Sequence, residues 1–488
     1  MELELKFALP ALDRLLLQKQ LARCALIGRR HPHQERLHNV YYDTPDHVLK
    51  ASGMALRVRQ LGDTAQPRWV QTLKIGGAAA SALSQRGEWE LPLAADQLDA
   101  DLLSGTPWTT FDPQGKVFAA LTPVFSTTFD RMSWVVQQGK TRAEIALDLG
   151  EVLMDGHTTP LCELEIELLE GTPDALFEIA SSIARHLSLM PLHMSKAERA
   201  YRLAQGTLDA PLRAKPPALD DSMDFAHIAQ SVLRECFLQF TANLNALRNS
   251  DAPELLHQAR IGWRRFKSAL KLLRQTGEGS QLPARERLQP LLAAMTALRD
   301  LDVAATEVFP LYASAYQAEE AERTRNWQAL EASLARERNN QREELRRTLS
   351  DPAVGQVLVQ ITRWLEIQPM LVPRELQSDK KATVGKWLKK RVAQLADQLD
   401  EMPSHSTDPA QLHALRILSK RLRYSVECLR PLLPARRAER WYQHATQQQT
   451  QIGVARDHQQ ALRIAQKLGA PEGIVEFLRG ASFGSLRV

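Results

Sequence analysis

An α+β chain in two unlike parts is predicted by three observations. Apolar residues alternate with period two up to about residue 170, they recur with period 3.6 after about residue 220, and a proline-rich stretch divides the two regimes. The first part reads as a largely antiparallel sheet, open or closed. The second reads as an all-helical bundle. Residues 2–8, 38–43, 54–60, 67–75, 85–93, 124–137, 141–149 and 161–169 are the candidate strands. Helices are expected at 12–25 and 173–187. The segment Ala210-Pro211-Leu212-Arg213-Ala214-Lys215-Pro216-Pro217 lacks periodic apolar residues and reads as a linker. The expected domains are 1–203, a linker at 204–221, and 222–485. In the last of these, helices are expected at 223–248, 253–274, 284–299, 303–317, 319–347, 352–366, 380–400, 409–430, 434–451 and 454–467. Turn signals at Gly277-Glu278-Gly279, Asp351-Pro352 and Asp408-Pro409 separate some of them.

Bulk properties narrow the class. The chain of 488 residues is 44% hydrophobic and 24% charged, ordinary for globular domains. No run of eighteen apolar residues occurs, so membrane insertion is not expected. The opening residues do not resemble a signal peptide, and the four cysteines show no metal-site spacing. A cytoplasmic protein with reduced thiols is the simplest expectation. The net charge of +5 is uneven: 21 basic and 26 acidic residues precede position 211, and 41 basic and 31 acidic residues follow. Modules with different partners are expected from such asymmetry.

Strand parity carries the chemistry of the first part. Glu2, Glu4 and Lys6 share one face of the first strand, opposite Leu3, Leu5 and Phe7. Arg57 with Arg59, Thr72 with Lys74, and Arg86 with Glu88 and Glu90 repeat the pattern. So do Arg142, Glu144 and Asp148, and Glu163, Glu165 and Glu167; Arg131 is a further candidate. Charges in water on an open sheet account for any single strand. A barrel with a polar interior accounts for all of them together. Carboxylates are hard oxygen ligands for Mg²⁺ or Mn²⁺, and Lys and Arg neutralise phosphoryl oxygens. Both together suit a polyanion that arrives with a divalent cation.

Residues 1 to about 202 resemble the CYTH superfamily of triphosphate tunnel metalloenzymes. The resemblance rests on Glu2-x-Glu4-x-Lys6, Leu56-Arg57-Val58-Arg59, Thr72-Leu73-Lys74, Arg86-x-Glu88-x-Glu90, Arg142-x-Glu144, Glu163-x-Glu165-x-Glu167 and Ser195-Lys196-x-x-Arg199. It implies an eight-stranded antiparallel tunnel with flanking helices that hydrolyses inorganic triphosphate with Mg²⁺, or Mn²⁺ in its place. The metal set so implied is Glu2, Glu4, Glu163, Glu165 and Glu167, with Asp148. The phosphate clamp is Lys6, Arg57, Arg59, Lys74, Arg86, Arg131, Arg142 and Lys196. Glu88, Glu90 and Glu144, with Lys6, are the candidate catalytic residues. The superfamily also holds class IV adenylate cyclases and thiamine and RNA triphosphatases. Trp69, Trp89 and Trp134 form no compelling nucleoside pocket, and Trp69 lies on the parity opposite Lys74.

The helical part repeats itself. His257-x-x-Arg260-x-x-x-Arg264-x-x-Lys267-x-x-x-Lys271 has the same spacing as His413-x-x-Arg416-x-x-x-Lys420-x-x-Arg423. Each set lies on one helical face. Arg299-Asp300 follows the first stripe, and Arg456-Asp457 follows the second at nearly the same interval. A solvated face explains one stripe, whereas two basic stripes in one bundle suggest an anion-binding surface. Trp263 and Trp387 are expected to pack. Residues of about 222–485 resemble the CHAD domain. The matching pieces include Leu298-Arg299-Asp300-Leu301-Asp302, Lys420-Arg421-x-Arg423-Tyr424 and Ile452-Gly453-x-x-x-Asp457. The second unit lacks the equivalent of Asp302. The resemblance implies binding of long-chain polyphosphate. Nucleic acid is the competing polyanion but is not favoured, because no base-reading motif accompanies the charge. A non-enzymatic polyanion scaffold is the other reading of the whole chain.

Overall fold

A computed structural model describes residues 2–10, 14–62, 67–76, 81–273, 282–283, 285–368, 370, 372–373, 376, 383–403 and 408–484. The Gly277-Glu278-Gly279 turn lies outside them. The chain divides into two compact units: residues 1–210 with 350–368, and residues 211–349 with 369–488.

The first unit is built on β1 (Glu2–Ala8), β2 (His33–Asp43), β3 (Met54–Leu61), β4 (Arg68–Ile75), β5 (Leu83–Leu93), β6 (Thr122–Gln138), β7 (Thr141–Met154) and β8 (His157–Glu170). Pairing runs β5-β4-β3-β2-β6-β7-β8-β1, and β1 also pairs with β5, which closes an eight-stranded antiparallel barrel. Closure removes exposed sheet edges. Leu5, Phe7, Ile145, Leu147, Leu164 and Ile166 point outward and are buried in the main core. Helices cover them: α1 (Arg14–Ala22) and α2 (Pro173–Ile183), the latter supplying Leu176, Phe177, Ile179, Ala180 and Ile183. The apolar exterior lies under helices, and the charged parity faces inward.

A short strand, β9 (Met190–Pro191), adds to β1 and leads to α3 (Lys196–Ala204), a helix not foreseen from the sequence. Its signal is Ser195-x-x-Glu198: the Ser195 hydroxyl accepts from the Glu198 amide, as an N-cap does.

The second unit contains α4 (Phe225–Ala246), α5 (Pro253–Leu273), α6 (Gln289–Val303), α7 (Phe309–Gln317) and α8 (Ala321–Leu349). One helix, α9 (Pro352–Ile367), falls outside this unit. The series resumes with α10 (Val384–Asp400), α11 (Pro409–Leu429), α12 (Ala435–Lys467) and α13 (Glu472–Gly484). Two expectations are corrected. The helices at 434–451 and 454–467 are one, since a single interior glycine costs only ~1 kcal/mol and does not by itself break a helix. The helix at 303–317 is interrupted by a wide turn over Ala304–Val308, just before Pro310, which has no N–H to complete a regular turn. No helix among the described residues is long and apolar enough to cross a membrane.

Helix α9 follows the second unit's α8 in sequence but clusters with the first unit. Most of its surface is apolar and buried, including Val354, Val357, Leu358, Val359, Ile361, Trp364 and Leu365. Val359 enters the barrel's main core. Gly355 lies against the backbone of Ser188 and Leu189, where an added Cβ would come within 2.5 Å of a main-chain nitrogen. Arg363 makes two hydrogen bonds of 2.7 Å to Asp174 on α2. Burial rather than this pair should hold α9. Val359→Ala is expected to cost ~1–2 kcal/mol by leaving a cavity. Arg363→Ala should cost no more than ~1 kcal/mol, because the pair is partly exposed. Hydrogen exchange at β1 amides in the full chain measures both, and a larger effect from Arg363 would reverse the assignment.

Candidate functional site

Register turns strand parity into one lined cavity. Glu4 lies opposite Glu167 and Lys6 opposite Glu165 across β1 and β8. Glu2 faces Arg86 on β5, and Lys74 on β4 faces Glu88. Arg131 on β6 faces Asp148 on β7. Such cross-strand pairs point to the same side of a sheet. Inside the barrel they surround a cavity of about 740 Å³. Of the expected residues, Glu2, Glu4, Lys6, Arg57, Arg59, Lys74, Arg86, Glu88, Glu90, Arg131, Glu144, Glu165, Glu167 and Lys196 line it.

Three expected residues lie elsewhere. Arg142 is half-exposed and 3.6 Å from Glu170. Arg142 is the second residue of β7, beside the β6–β7 turn, and the β7–β8 register shifts next to it. Asp148 and Glu163 are almost wholly buried behind the lining.

The cationic end is built on those buried carboxylates. The Lys196 ammonium bonds Glu163 and lies 2.9 Å from both Asp148 and Glu165. Arg131 grips Asp148 with two bonds of 2.7 Å and reaches Glu165 at 2.7 Å. Lys6 lies 3.0 Å from Glu165 and 3.2 Å from Glu4. Burial alone would raise the pKa of Glu165; Lys196, Lys6 and Arg131 outweigh it and hold the group well below its usual value. Asp148, Glu163 and Glu165 converge within 4.8 Å, as metal ligands could. Lys196 already sits among the three, so their negative charge is met.

The opposite end has acid to spare. Lys74 bridges Glu2 at 3.1 Å and Glu88 at 2.8 Å. Burial, a hydrogen bond to Glu88 and nearby carboxylates push Glu2 up to about 8. Glu167 is pushed up to about 7 by burial and then by Glu88 and Glu144. Glu4, which accepts from the Ser84 hydroxyl at 3.0 Å, completes this wall.

Guanidinium groups fill the space between. Arg57 donates to the Tyr41 hydroxyl at 3.1 Å, and Arg59 donates to Asn39 at 2.9 Å. Burial, Arg57 and Arg131 push Arg59 down to about 10. The buried Nε atoms of Arg57 and Arg86 have no hydrogen-bond partner. Buried donors without acceptors are costly, and a bound anion would satisfy them. Glu90 is half-exposed and 3.3 Å from Arg59. Tyr41, Lys50, His193, Glu198, Tyr201 and Arg202 also line the cavity, though the sequence reading did not single them out. The α3 residues among them were legible only through the capping signal.

The helical unit holds a second cavity, also of about 740 Å³. Arg260, Arg264, Lys267 and Lys271 on α5 and Arg416 and Lys420 on α11 line it together with Arg456 on α12. The two stripes therefore face one space. Arg421 and Tyr424 join them, and Glu286 is the acidic member of the lining. Burial and then Arg264, Arg416 and Arg456 push Lys420 down to about 7. His257, Arg299, His413 and Arg423 are not among the lining residues. Arg299 lies 2.6 Å from Glu307, Arg423 lies 3.7 Å from Glu427, and His413 is exposed.

A closed barrel with a mixed-charge interior, followed by a helical bundle with a cationic cavity, defines a two-domain class built around enclosed charge. Comparison with known proteins makes this specific. Residues 1–201 match the model of the CYTH domain, and residues 231–466 match that of the CHAD domain. The chain thus carries both domains in that order. It is 32% identical over 205 residues to a Haemophilus influenzae protein named inorganic triphosphatase, a match covering 41% of this chain and 54% of that protein. The chain spans about half the length of that relative. Among solved structures, the CHAD domain from Ricinus communis is 23% identical, covering 56% of this chain and 91% of that one with a TM-score of 0.47. A putative adenylyl cyclase from Hippeastrum is 19% identical, covering 42% and 96% with a TM-score of 0.28.

The acid-rich wall has a pH signature. Glu2 has a folded pKa of about 8 against an ordinary 4.5, so the folded state binds more protons between those values. Its contribution to stability therefore falls as pH rises through that window. Denaturant unfolding from pH 5 to 8 should show the decline, and Glu2→Gln should make it shallower while leaving the share that Glu167 contributes up to about pH 7. An unchanged slope in the variant would remove Glu2 as its source.

Proposed function

We propose that the barrel hydrolyses inorganic triphosphate to pyrophosphate and orthophosphate with a bound divalent cation, Mg²⁺ or Mn²⁺. The observation that carries this is the polarity of one cavity. Lys6, Arg131 and Lys196 gather in one part of it, and Glu2 and Glu167, both with raised pKa values, lie in another beside Glu88, which a hydrogen bond from Glu2 and the Lys74 and Arg57 charges hold low. The 32% identity to the Haemophilus protein supports the reading.

The residues fit a hard cation. Glu2, Glu4 and Glu167 would hold it, with Glu88 and Glu144 beside them. When bound, the cation neutralises phosphoryl oxygens and acidifies a coordinated water. Lys6, Arg57, Arg86, Arg131 and Lys196 grip the phosphate chain. Asp148 and Glu163 hold Lys196 and Arg131 in place rather than binding metal. Positioning and charge neutralisation then supply most of the catalysis, as is usual in phosphoryl transfer. Glu144 is the cavity carboxylate best placed to orient the attacking water, since Glu88 is occupied by Lys74 and Glu90 by Arg59.

Substrate choice rests on the aromatic residues of the lining. Tyr41 stacks on Phe125 with centroids 4.3 Å apart and is approached by Arg57. Phe129 lies under Lys196 and Arg131, and Tyr201 lies under Lys50. Trp134 is buried in the core outside the barrel, and Trp89 packs against another outer cluster. Among the described residues no lining aromatic offers a clear face to a nucleobase or thiamine ring. Inorganic triphosphate is therefore preferred to ATP or thiamine triphosphate. For the helical cavity, long-chain polyphosphate is the preferred ligand, because its charge repeats without bases to be read.

Two outcomes are expected. Phosphate release from tripolyphosphate should need Mg²⁺ or Mn²⁺, and replacing both Glu2 and Glu4 by Gln should reduce turnover by at least ~100-fold. Near-normal turnover in that variant would sink the assignment. Binding of polyphosphate without turnover of any triphosphate would favour the scaffold reading, and cyclic nucleotide from ATP the cyclase reading. Separately, charge reversal at Arg264 and Lys420 should weaken polyphosphate binding, and binding near pH 7.5 should take up protons as Lys420 becomes charged. Calorimetry in buffers of different ionisation enthalpy tests both; unchanged affinity in a folded variant rejects that cavity.

A further inference from the structure

The helical unit also contains a buried pair of thiols that phosphate chemistry does not use. Cys236 on α4 and Cys428 on α11 are 192 positions apart, yet their Sγ atoms lie 3.6 Å from each other. Both are essentially inaccessible to solvent. Beside them is Arg265, whose side chain has no solvent exposure and lies 3.6 Å from Glu427. Its Nη1 donates to Gln239 at 2.6 Å, and its Nε has no hydrogen-bond partner. A buried guanidinium next to a dithiol favours one thiolate. The hydrogen bond from Cys236 lowers the pKa of Cys428; burial opposes this and the Arg265 charge adds to it.

We propose that Cys236 and Cys428 form a reversible disulfide, with a peroxide as oxidant, that ties the first half of the helical unit to the second. Closing the sulfurs from 3.6 Å to a bond of about 2.05 Å needs a shift of side-chain scale. The Cys428 thiolate attacks one peroxide oxygen; an S–O bond forms, the O–O bond breaks, and hydroxide leaves. Cys236 then attacks the sulfenic sulfur. The S–S bond forms, the S–O bond breaks, and the departing hydroxide takes the thiol proton as water. In sum, two thiols and one hydrogen peroxide give one disulfide and two waters. The bond has a structural consequence for the cationic cavity. Tyr424 lines that cavity one helical turn before Cys428, and Arg264 precedes Arg265. The disulfide would fix α11, and the cavity wall it carries, to α4.

The test uses the full-length reduced protein and hydrogen peroxide. Thiol titration in denaturant should fall from four groups to two, and dithiothreitol should restore them. Peptide mapping should recover a Cys236–Cys428 link. The thermal midpoint of the helical unit should rise by at least about 4 °C on oxidation, because a long unfolded loop is closed. Cys428→Ala should abolish both the link and the rise. Mapping on the unaltered protein decides the matter even if that variant folds poorly. Recovery of only reduced peptides, of sulfinic acid at either position, or of links through Cys24 or Cys162 would overturn the proposal. Exposure must outlast measured amide exchange in α4, so that burial alone cannot account for a negative result.

Discussion

Charges of both signs are enclosed in a barrel whose outside is apolar, and this constraint organises the first domain. An isolated buried ion costs several kcal/mol or more even after relaxation, of order ~20 in an idealised low-dielectric medium. Each cation in the barrel therefore needs its own counter-charge. Lys196 and Arg131 have theirs in Asp148, Glu163 and Glu165. That arrangement depends on α3, because Lys196 is its first residue and the Ser195 cap fixes where the helix begins. Tyr201, farther along α3, donates to Asp43 at 2.6 Å and ties the helix to the end of β2. Binding chemistry at one end thus rests on a cap and a phenol some distance away.

The helical domain meets the opposite situation. Its cavity gathers cations with little compensating acid, and that costs the fold stability. Depression of Lys420 and Arg260 below their ordinary values is the sign of that repulsion, added to burial. Such a surface is pre-organised to gain from an anion. The duplicated sequence makes this possible, because two like stripes on α5 and α11 meet only when the repeats pack against each other.

Much of the fold was legible from local pattern. Period-two alternation placed all eight barrel strands; it left the sheet open or closed, the family resemblance implied a tunnel, and the β1–β5 pairing closes it. Helix α3 was missed because its nine residues give a short periodic signal. Helix α9 carries an ordinary helical pattern, but no local pattern says which core its apolar surface will join. The break expected near Ile452-Gly453 did not occur, since glycine weakens a helix without ending it.

The sequence by itself determined which side chains share a face: Glu2, Glu4 and Lys6 on one side of their strand, Leu5 and Phe7 on the other, and two basic stripes along helices. Backbone geometry imposes that alternation whatever lies nearby. Only the tertiary structure decided how the charges are shared. It gave Asp148 and Glu163 to Lys196, left Glu2 and Glu167 with raised pKa values, and paired Arg142 with Glu170 away from the cavity. It also brought Cys236 to Cys428. The physical reason is range. Side-chain direction is set within one or two residues, whereas a pKa or an ion pair depends on ångström-scale distances between segments far apart in the chain.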